Sequence, residues 1–208
     1  MKDLVYKVNE IFASIQGEGL FAGLPMNFVR FCGCNLNCRW CDTDYADGTL
    51  MSAGRIIKKL NPDMRWVSLT GGEPLMEKDL PALISELKKK KFMVLLETNG
   101  SLFNEKIFNS CDYVSLDIKM PSSGNPVYSR KALSYCLKHP KKTQIKAVVQ
   151  DDKDLQFFDS IYSKYKKYPA WVIQPESGSI DLLDYGAMAR RFPAARIIPQ
   201  MHKYLGIH

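Results

Sequence analysis

The sequence predicts an α/β fold, an incomplete, open (β/α) barrel of about six βα units, on three observations. Short apolar runs alternate with stretches of helical periodicity, the order that builds right-handed parallel βα units. The chain has 208 residues, whereas a closed eight-unit barrel takes about 250. Its polar, chemistry-bearing residues directly follow the apolar runs, at the strand ends where parallel barrels place their sites.

In chain order, an opening strand is expected before the turn Ile15-Gln16-Gly17-Glu18-Gly19. Asn27–Phe31 reads as a strand feeding a cysteine-rich loop, and a helix is expected over about Ser52–Leu60. Trp66–Thr70 is a second strand, ending in Gly71-Gly72-Glu73-Pro74. Leu80, Leu83, Ile84 and Leu87 share one helical face, and Pro81 is tolerated in that helix's first turn. The run Phe92–Glu97 suits a strand buried on both faces, as in a parallel sheet. Further strands are expected at Tyr113–Asp117, Gln144–Val149, Trp171–Gln174 and Arg196–Ile198, with helices over Tyr128–Lys138, Lys153–Tyr165 and Asp181–Arg191. With no repeat, low-complexity stretch or linker, residues 1–208 are expected to form one domain with an N-terminal strand and a C-terminal tail.

Apolar residues make up 46% and charged residues 25%, the balance of an ordinary globular protein. No apolar run spans a bilayer and the N-terminus lacks a secretory signal, so no membrane partner and a cytoplasmic location are expected. The net charge is +7. Its basic runs, Lys88–Lys91, Lys138–Lys142 and Lys164–Lys167, fall near expected helix C-termini, where lysines face solvent and complement the helix dipole. No aromatic-rich nucleic-acid motif accompanies them, which argues against a nucleic-acid partner. The excess charge suits anionic substrates or an acidic, flavodoxin-like electron donor.

Four of the six cysteines crowd between Cys32 and Cys41, which reads as metal ligation in a reducing compartment. Cys111 and Cys136 stand apart and read as small buried apolar residues. Cys34, Cys38 and Cys41, spaced C-x3-C-x2-C in one loop, suit an iron–sulfur cluster. Three thiolates on a four-iron cube leave one iron without a protein ligand, open to bind and activate a molecule, as open zinc sites do. Cys32 reads as an inward residue at a strand end. If Cys32 joined the other three, the set would instead suit structural zinc in a nucleic-acid-binding module.

The cysteine spacing, followed downstream by Gly71-Gly72-Glu73-Pro74, resembles the signature of the radical S-adenosylmethionine superfamily. The resemblance implies that the open iron is chelated by the cofactor's amino and carboxylate groups, and that an electron from the 4Fe-4S cluster splits the sulfonium to give a 5′-deoxyadenosyl radical. It assigns Gly72 and Glu73 to the cofactor's amino group, against a plain turn before a helix. Glu97 and Asn99, in Glu97-Thr98-Asn99-Gly100, become candidates for the cofactor, with a carboxylate suited to a ribose diol; an Asn-Gly turn is the alternative. Ser115, Lys119 and Gln174 are further cofactor candidates, Lys119 being alternatively a solvated loop residue.

Three more segments narrow the resemblance: Ile15-Gln16-Gly17-Glu18-Gly19, Cys41-Asp42-Thr43, and Pro199-Gln200-Met201-His202-Lys203-Tyr204-Leu205-Gly206. Together they resemble the 7-carboxy-7-deazaguanine synthase family of queuosine and deazapurine biosynthesis, over nearly the whole chain. That implies ring contraction of 6-carboxy-5,6,7,8-tetrahydropterin with loss of ammonia, begun at C6 by the adenosyl radical and assisted by Mg2+, in a homodimer served by a reducing partner. Gln16 and Glu18 suit the N–H donors of a pterin edge, and Arg30 suits the 6-carboxylate as a planar bidentate partner. Thr43 matches the family's magnesium ligand, with Asp42 second. Thr70 and His202 complete the expected substrate contacts, the tail capping the substrate. Singly these residues also fit a turn at 16–19, a structural ion pair at Arg30, a helix cap at Asp42-Thr43 and a solvated tail at His202. Within the superfamily the alternative is a glycyl-radical-enzyme activase, which needs a protein-docking surface and has no use for a pterin clamp.

Overall fold

The structure, a computed structural model, describes residues 4–41, 43–44 and 47–207. Its strands are β1 (Val5–Ile15), β2 (Pro25–Phe31), β3 (Thr49–Ser52), β4 (Trp66–Gly71), β5 (Met93–Thr98), β6 (Tyr113–Asp117), β7 (Thr143–Val149), β8 (Trp171–Pro175) and β9 (Ala195–Ile197). They form one sheet in the order β3-β1-β2-β4-β5-β6-β7-β8-β9. From β2 to β9 every neighbouring pair is parallel, while β1 runs antiparallel to β2 and β3. Among the described residues no pairing joins β3 to β9, so the barrel is incomplete and open, as the chain length implied.

The helices are α1 (Ala53–Lys59), α2 (Leu80–Lys89), α3 (Glu105–Ser110), α4 (Arg130–Lys138), α5 (Asp152–Tyr162), α6 (Tyr185–Arg191) and α7 (Met201–Leu205). Five of them, all but α2 and α7, start at side-chain caps. Ser52, Ser129 and Asp151 accept backbone N–H groups at the heads of α1, α4 and α5. Asp184 does the same for α6, so the helix expected from Asp181 begins later, after a 3-10 stretch over Ser177–Leu182. The short elements β3, α3 and α7 were not anticipated; each has too few residues to show a period. No helix among the described residues is long and apolar enough to cross a membrane.

Strand alternation sorts the side chains onto two faces. The outer face carries the main core: Val67, Leu69, Val94, Leu96, Val114, Leu116, Ile145 and Ile173 pack against Leu83, Leu87, Phe108, Leu133 and Phe158 of the helices. Cys111 and Cys136 belong to this core, and burial pushes both thiols up to about 12. The inner face has an apolar floor of Met26, Phe28 and Leu95, with Phe12, Trp66 and Tyr113 packed against it. Leu95 in that floor and Val94 and Leu96 outside show β5 buried on both faces, as expected of a parallel strand. Above the floor, toward the strand C-termini, the inner side chains turn polar.

Candidate active site

Those polar side chains line a cavity of about 430 Å³. Every residue singled out above for cluster, magnesium, cofactor or substrate borders it, except Glu73 and Gln174, and except Asp42, which lies outside the described residues.

Cys34, Cys38 and Cys41 form one wall, on the loop that follows β2. Two braces hold that loop. Below it, Gly72 N–H donates to the Phe31 carbonyl (3.1 Å) and Glu73 N–H to the Gly33 carbonyl (2.9 Å). A Cβ on Gly72 would fall 1.6 Å from the Gly33 oxygen, and Gly71 adopts φ 121° against the Phe31 backbone. The glycine pair is thus required by the approach of two backbones, before any ligand is considered. Beside it, Arg39 N–H donates to the Ser123 carbonyl (2.9 Å), Trp40 Nε1 to Ser122 Oγ (3.3 Å) and Asn125 Nδ2 to the Asn37 carbonyl (2.7 Å). The buried Asp154 of α5 fixes this brace by accepting Ser122 N–H at 2.9 Å.

All six cysteines are free thiols. Asn99 Nδ2 lies 3.6 Å from Cys34 Sγ, a donor aimed at one of the three thiols. Burial pushes the Cys38 thiol up despite the nearby Lys119 ammonium; a coordinating metal reverses that, because a ligating thiol is deprotonated outright. Cys32 does not join the wall: it is buried, with its Sγ 3.2 Å from the Asp47 carbonyl. Three thiols on one braced loop, facing a shared cavity, fit a cube with one open iron better than a four-cysteine zinc site.

Three expectations need correction. Glu73 is fully buried and does not line the cavity. Its Oε1 accepts Leu75 N–H and Thr98 Oγ1–H, each at 2.9 Å, and its Oε2 accepts Asn99 N–H at 2.7 Å. It therefore ties the turn after β4 to the end of β5 and sets the Asn99 backbone, rather than reaching a ligand. Glu73→Gln places an amide donor against these donors; a loss of about 1–3 kcal/mol is expected. A lowered urea midpoint of the apoprotein would register it, whereas a cofactor contact would leave the midpoint unchanged and weaken S-adenosylmethionine binding. Gln174 is also fully buried and away from the cavity wall; β8 turns it inward beneath the wall, where neither amide atom has a protein partner. Lys119 is not a solvated loop residue: its Nζ pairs with Asp117 Oδ2 at 3.0 Å and lies 5.2 Å over the Trp40 ring. Burial pulls that ammonium down, but Asp117 outweighs it and the pKa ends raised.

The opposite wall is a polar network around the 16–19 turn. Gln16 Nε2 donates to Glu97 Oε1 at 2.6 Å, and Thr70 bonds the same carboxylate. Burial pushes the Glu97 carboxyl up. Glu18 pairs with Lys146 Nζ through Oε2 and accepts Gln200 Nε2 at 2.8 Å through Oε1. Burial raises the Glu18 carboxyl, but Lys146 outweighs it and holds the group at about 2. Ser115 Oγ accepts Gln144 Nε2 at 2.7 Å, and the Gln144 oxygen takes Leu20 N–H at 2.7 Å. The tail docks on this turn: Met201 N–H donates to the Gly17 carbonyl (2.9 Å), and a Cβ on Gly17 would fall 2.2 Å from His202 Nδ1. Arg30 Nε binds Glu10 Oε1 at 2.6 Å while Nη1 donates to Thr43 Oγ1 at 2.9 Å. The structural ion pair and the cavity-facing position of Arg30 therefore coexist, and Thr43 leads toward β3 rather than capping a helix.

Glu10, Asp117, Gln144, Lys146 and Gln200 were not singled out in the sequence. A signal existed for two of them: in Gln144-Ile145-Lys146-Ala147 polar and apolar residues alternate inside a buried strand, which marks a polar inner face.

Residues 28–143 match the family model of the Radical SAM superfamily, which places the chain in the class that the open barrel and the three-thiol loop define. The chain is 35% identical to the 7-carboxy-7-deazaguanine synthase of Thermoplasma acidophilum, covering 95% of this chain and 96% of that one. It is 36% identical to the one from Methanospirillum hungatei, covering 97% and 86%. The crystal structure of QueE from Escherichia coli superposes with a TM-score of 0.71 at 26% identity, covering 95% of each chain. Streptococcus suis SuiB shares the fold alone, with a TM-score of 0.58 at 17% identity over 81% of this chain and 47% of that one. The chain belongs to the 7-carboxy-7-deazaguanine synthase family.

Proposed function

We propose that this enzyme converts 6-carboxy-5,6,7,8-tetrahydropterin to 7-carboxy-7-deazaguanine with loss of ammonia, in queuosine and deazapurine biosynthesis. The observation that carries the reading is the convergence of the three-thiol wall and the Gln16–Glu18 wall on one cavity. When bound, a 4Fe-4S cluster and S-adenosylmethionine would supply the radical chemistry needed at C6. Cys34, Cys38 and Cys41 would hold the cluster, with Asn99 Nδ2 directed at the Cys34 thiolate. Gly72, Glu97, Ser115 and Lys119 border the space left for the cofactor. Glu73 acts behind them by setting the Asn99 backbone.

At the far wall Gln16 and Glu18 offer acceptors to the pterin N–H groups, and Glu18 offers them as an anion because Lys146 holds it ionised. Arg30 has its plane fixed by Glu10 and faces the cavity, a geometry suited to the 6-carboxylate. Thr43, beside Arg30, would be the protein ligand for Mg2+. Thr70 and His202 border the same space, and the tail closes over it. A single domain with that tail as cap, a homodimeric assembly, a flavodoxin-like reductant and a cytoplasmic setting complete the reading.

The test is anaerobic reconstitution with iron and sulfide, then incubation with the pterin, S-adenosylmethionine and dithionite. Deazaguanine product and ammonia should appear while S-adenosylmethionine is not consumed. A fully loaded cluster with no product would overturn the reading.

A further inference from the structure

We propose that Lys146 is a positioning residue for the pterin, acting through Glu18 rather than on the ligand: its ammonium fixes and charges the carboxylate that receives the pterin edge. The inference deepens the pterin reading and rests on it. Lys146 sits mid-strand on β7, between Gln144 and Val148 on the inner face, and is 7% exposed. Its Nζ meets Glu18 Oε2 and lies 3.5 Å from Asp117 Oδ2. The same Asp117 oxygen also pairs with Lys119 Nζ at 3.0 Å. The second Glu18 oxygen is held by Gln200 of the tail. One ammonium thereby links the barrel wall, the 16–19 turn and the tail.

A buried carboxylate next to a second one requires a cation to remain charged. The charged and titratable groups around Glu18 are Lys146 from β7, Asp117 at the end of β6 and Lys119 just after it, Glu97 from β5, and His202 and Lys203 from α7. Lys119 is engaged by Asp117 and the Trp40 ring, while Lys146 is in direct contact with Glu18. Gly19 packs against Gln144, where a Cβ would fall 2.1 Å from Nε2, and Leu20 N–H donates to Gln144 Oε1 at 2.7 Å, so the turn is held close to β7.

The experiment uses cluster-loaded enzyme with S-adenosylmethionine but no reductant, so that 6-carboxy-5,6,7,8-tetrahydropterin binds without turnover. Calorimetry compares the parent with Lys146→Met, Lys146→Arg, Glu18→Gln and the double variant. Lys146→Met should weaken pterin binding by roughly 10–100-fold at pH 7, leave S-adenosylmethionine binding unchanged, and recover affinity as pH rises to 9. The sign follows from Glu18, whose carboxyl rises once the ammonium is gone and ionises only as pH climbs. Lys146→Arg should restore most of the affinity. In the Glu18→Gln background, Lys146→Met should add less than about twofold, the non-additivity of two groups acting as one. A carbon-13 titration of Glu18 in the apoprotein gives a ligand-free readout: near 2 in the parent and shifted clearly upward in Lys146→Met, where burial is no longer outweighed. Unchanged pterin affinity in Lys146→Met, full additivity in the double variant, or an unmoved Glu18 titration would each overturn the proposal. A parent that binds no pterin while the Glu18 titration moves as stated would overturn the pterin reading and leave the Lys146–Glu18 coupling standing.

Discussion

Alanine in place of any one of Cys34, Cys38 or Cys41 is expected to remove turnover by at least about a thousandfold, an activation cost of about 4 kcal/mol or more. Two thiolates cannot hold a four-iron cube on a loop open to the cavity, so the loss should appear first as iron and sulfide content after reconstitution. Cys32→Ala is the contrast. Its thiol is buried against the Asp47 carbonyl and faces no part of the cavity, so that variant should bind the parent's iron and turn over normally. Loss of iron in Cys32→Ala equal to that in Cys34→Ala would reinstate a four-cysteine site and remove the open iron from the reading.

Gly72→Ala should be nearly as damaging for a different reason. A methyl group there would fall 1.6 Å from the Gly33 carbonyl oxygen. Backbone faces backbone at that point, so no side-chain rotation relieves the overlap and the cysteine loop must lift off β4. A destabilisation above about 4 kcal/mol is expected, measured as the urea midpoint of the apoprotein, together with failure to retain iron. Gly33→Ala separates this from a general intolerance of side chains in the loop. Gly33 adopts φ 78°, yet no atom lies within 4 Å of the position its Cβ would take. Its cost should stay at about 1–2 kcal/mol, the usual penalty of a left-handed residue with a side chain.

The architecture was largely legible because the parallel strands are contiguous apolar runs and their spacing leaves room only for crossover helices. What escaped were pieces too short to carry a period, such as Glu105–Ser110 and Met201–Leu205. At the site, the thiols, the glycine pair and the 16–19 turn were legible as compact local motifs, and Arg30, Ser115 and Lys119 by their places within or just after strands. The family motif pairs Glu73 with Gly72 at the cofactor, but in extended backbone consecutive side chains point to opposite sides. Glu73 points away from the cavity and bonds Thr98 and Asn99. Lys146 was passed over because its partners, Glu18 and Asp117, are 128 and 29 residues away in the chain. Pairings across such separations follow from strand order, which no local pattern encodes.

The segregation of the two sheet faces has an evolutionary consequence. Along β5 and β7, consecutive residues answer to unrelated demands: Leu96 and Ile145 pack in the core under the helices, while Glu97 and Lys146 line the cavity. A lineage can therefore retune substrate choice by altering every second residue near the strand tips, with little thermodynamic debt in the layer beneath the helices. Such a scaffold favours diversification, since inheritance of shape and invention of chemistry proceed on opposite sides of the same ribbon.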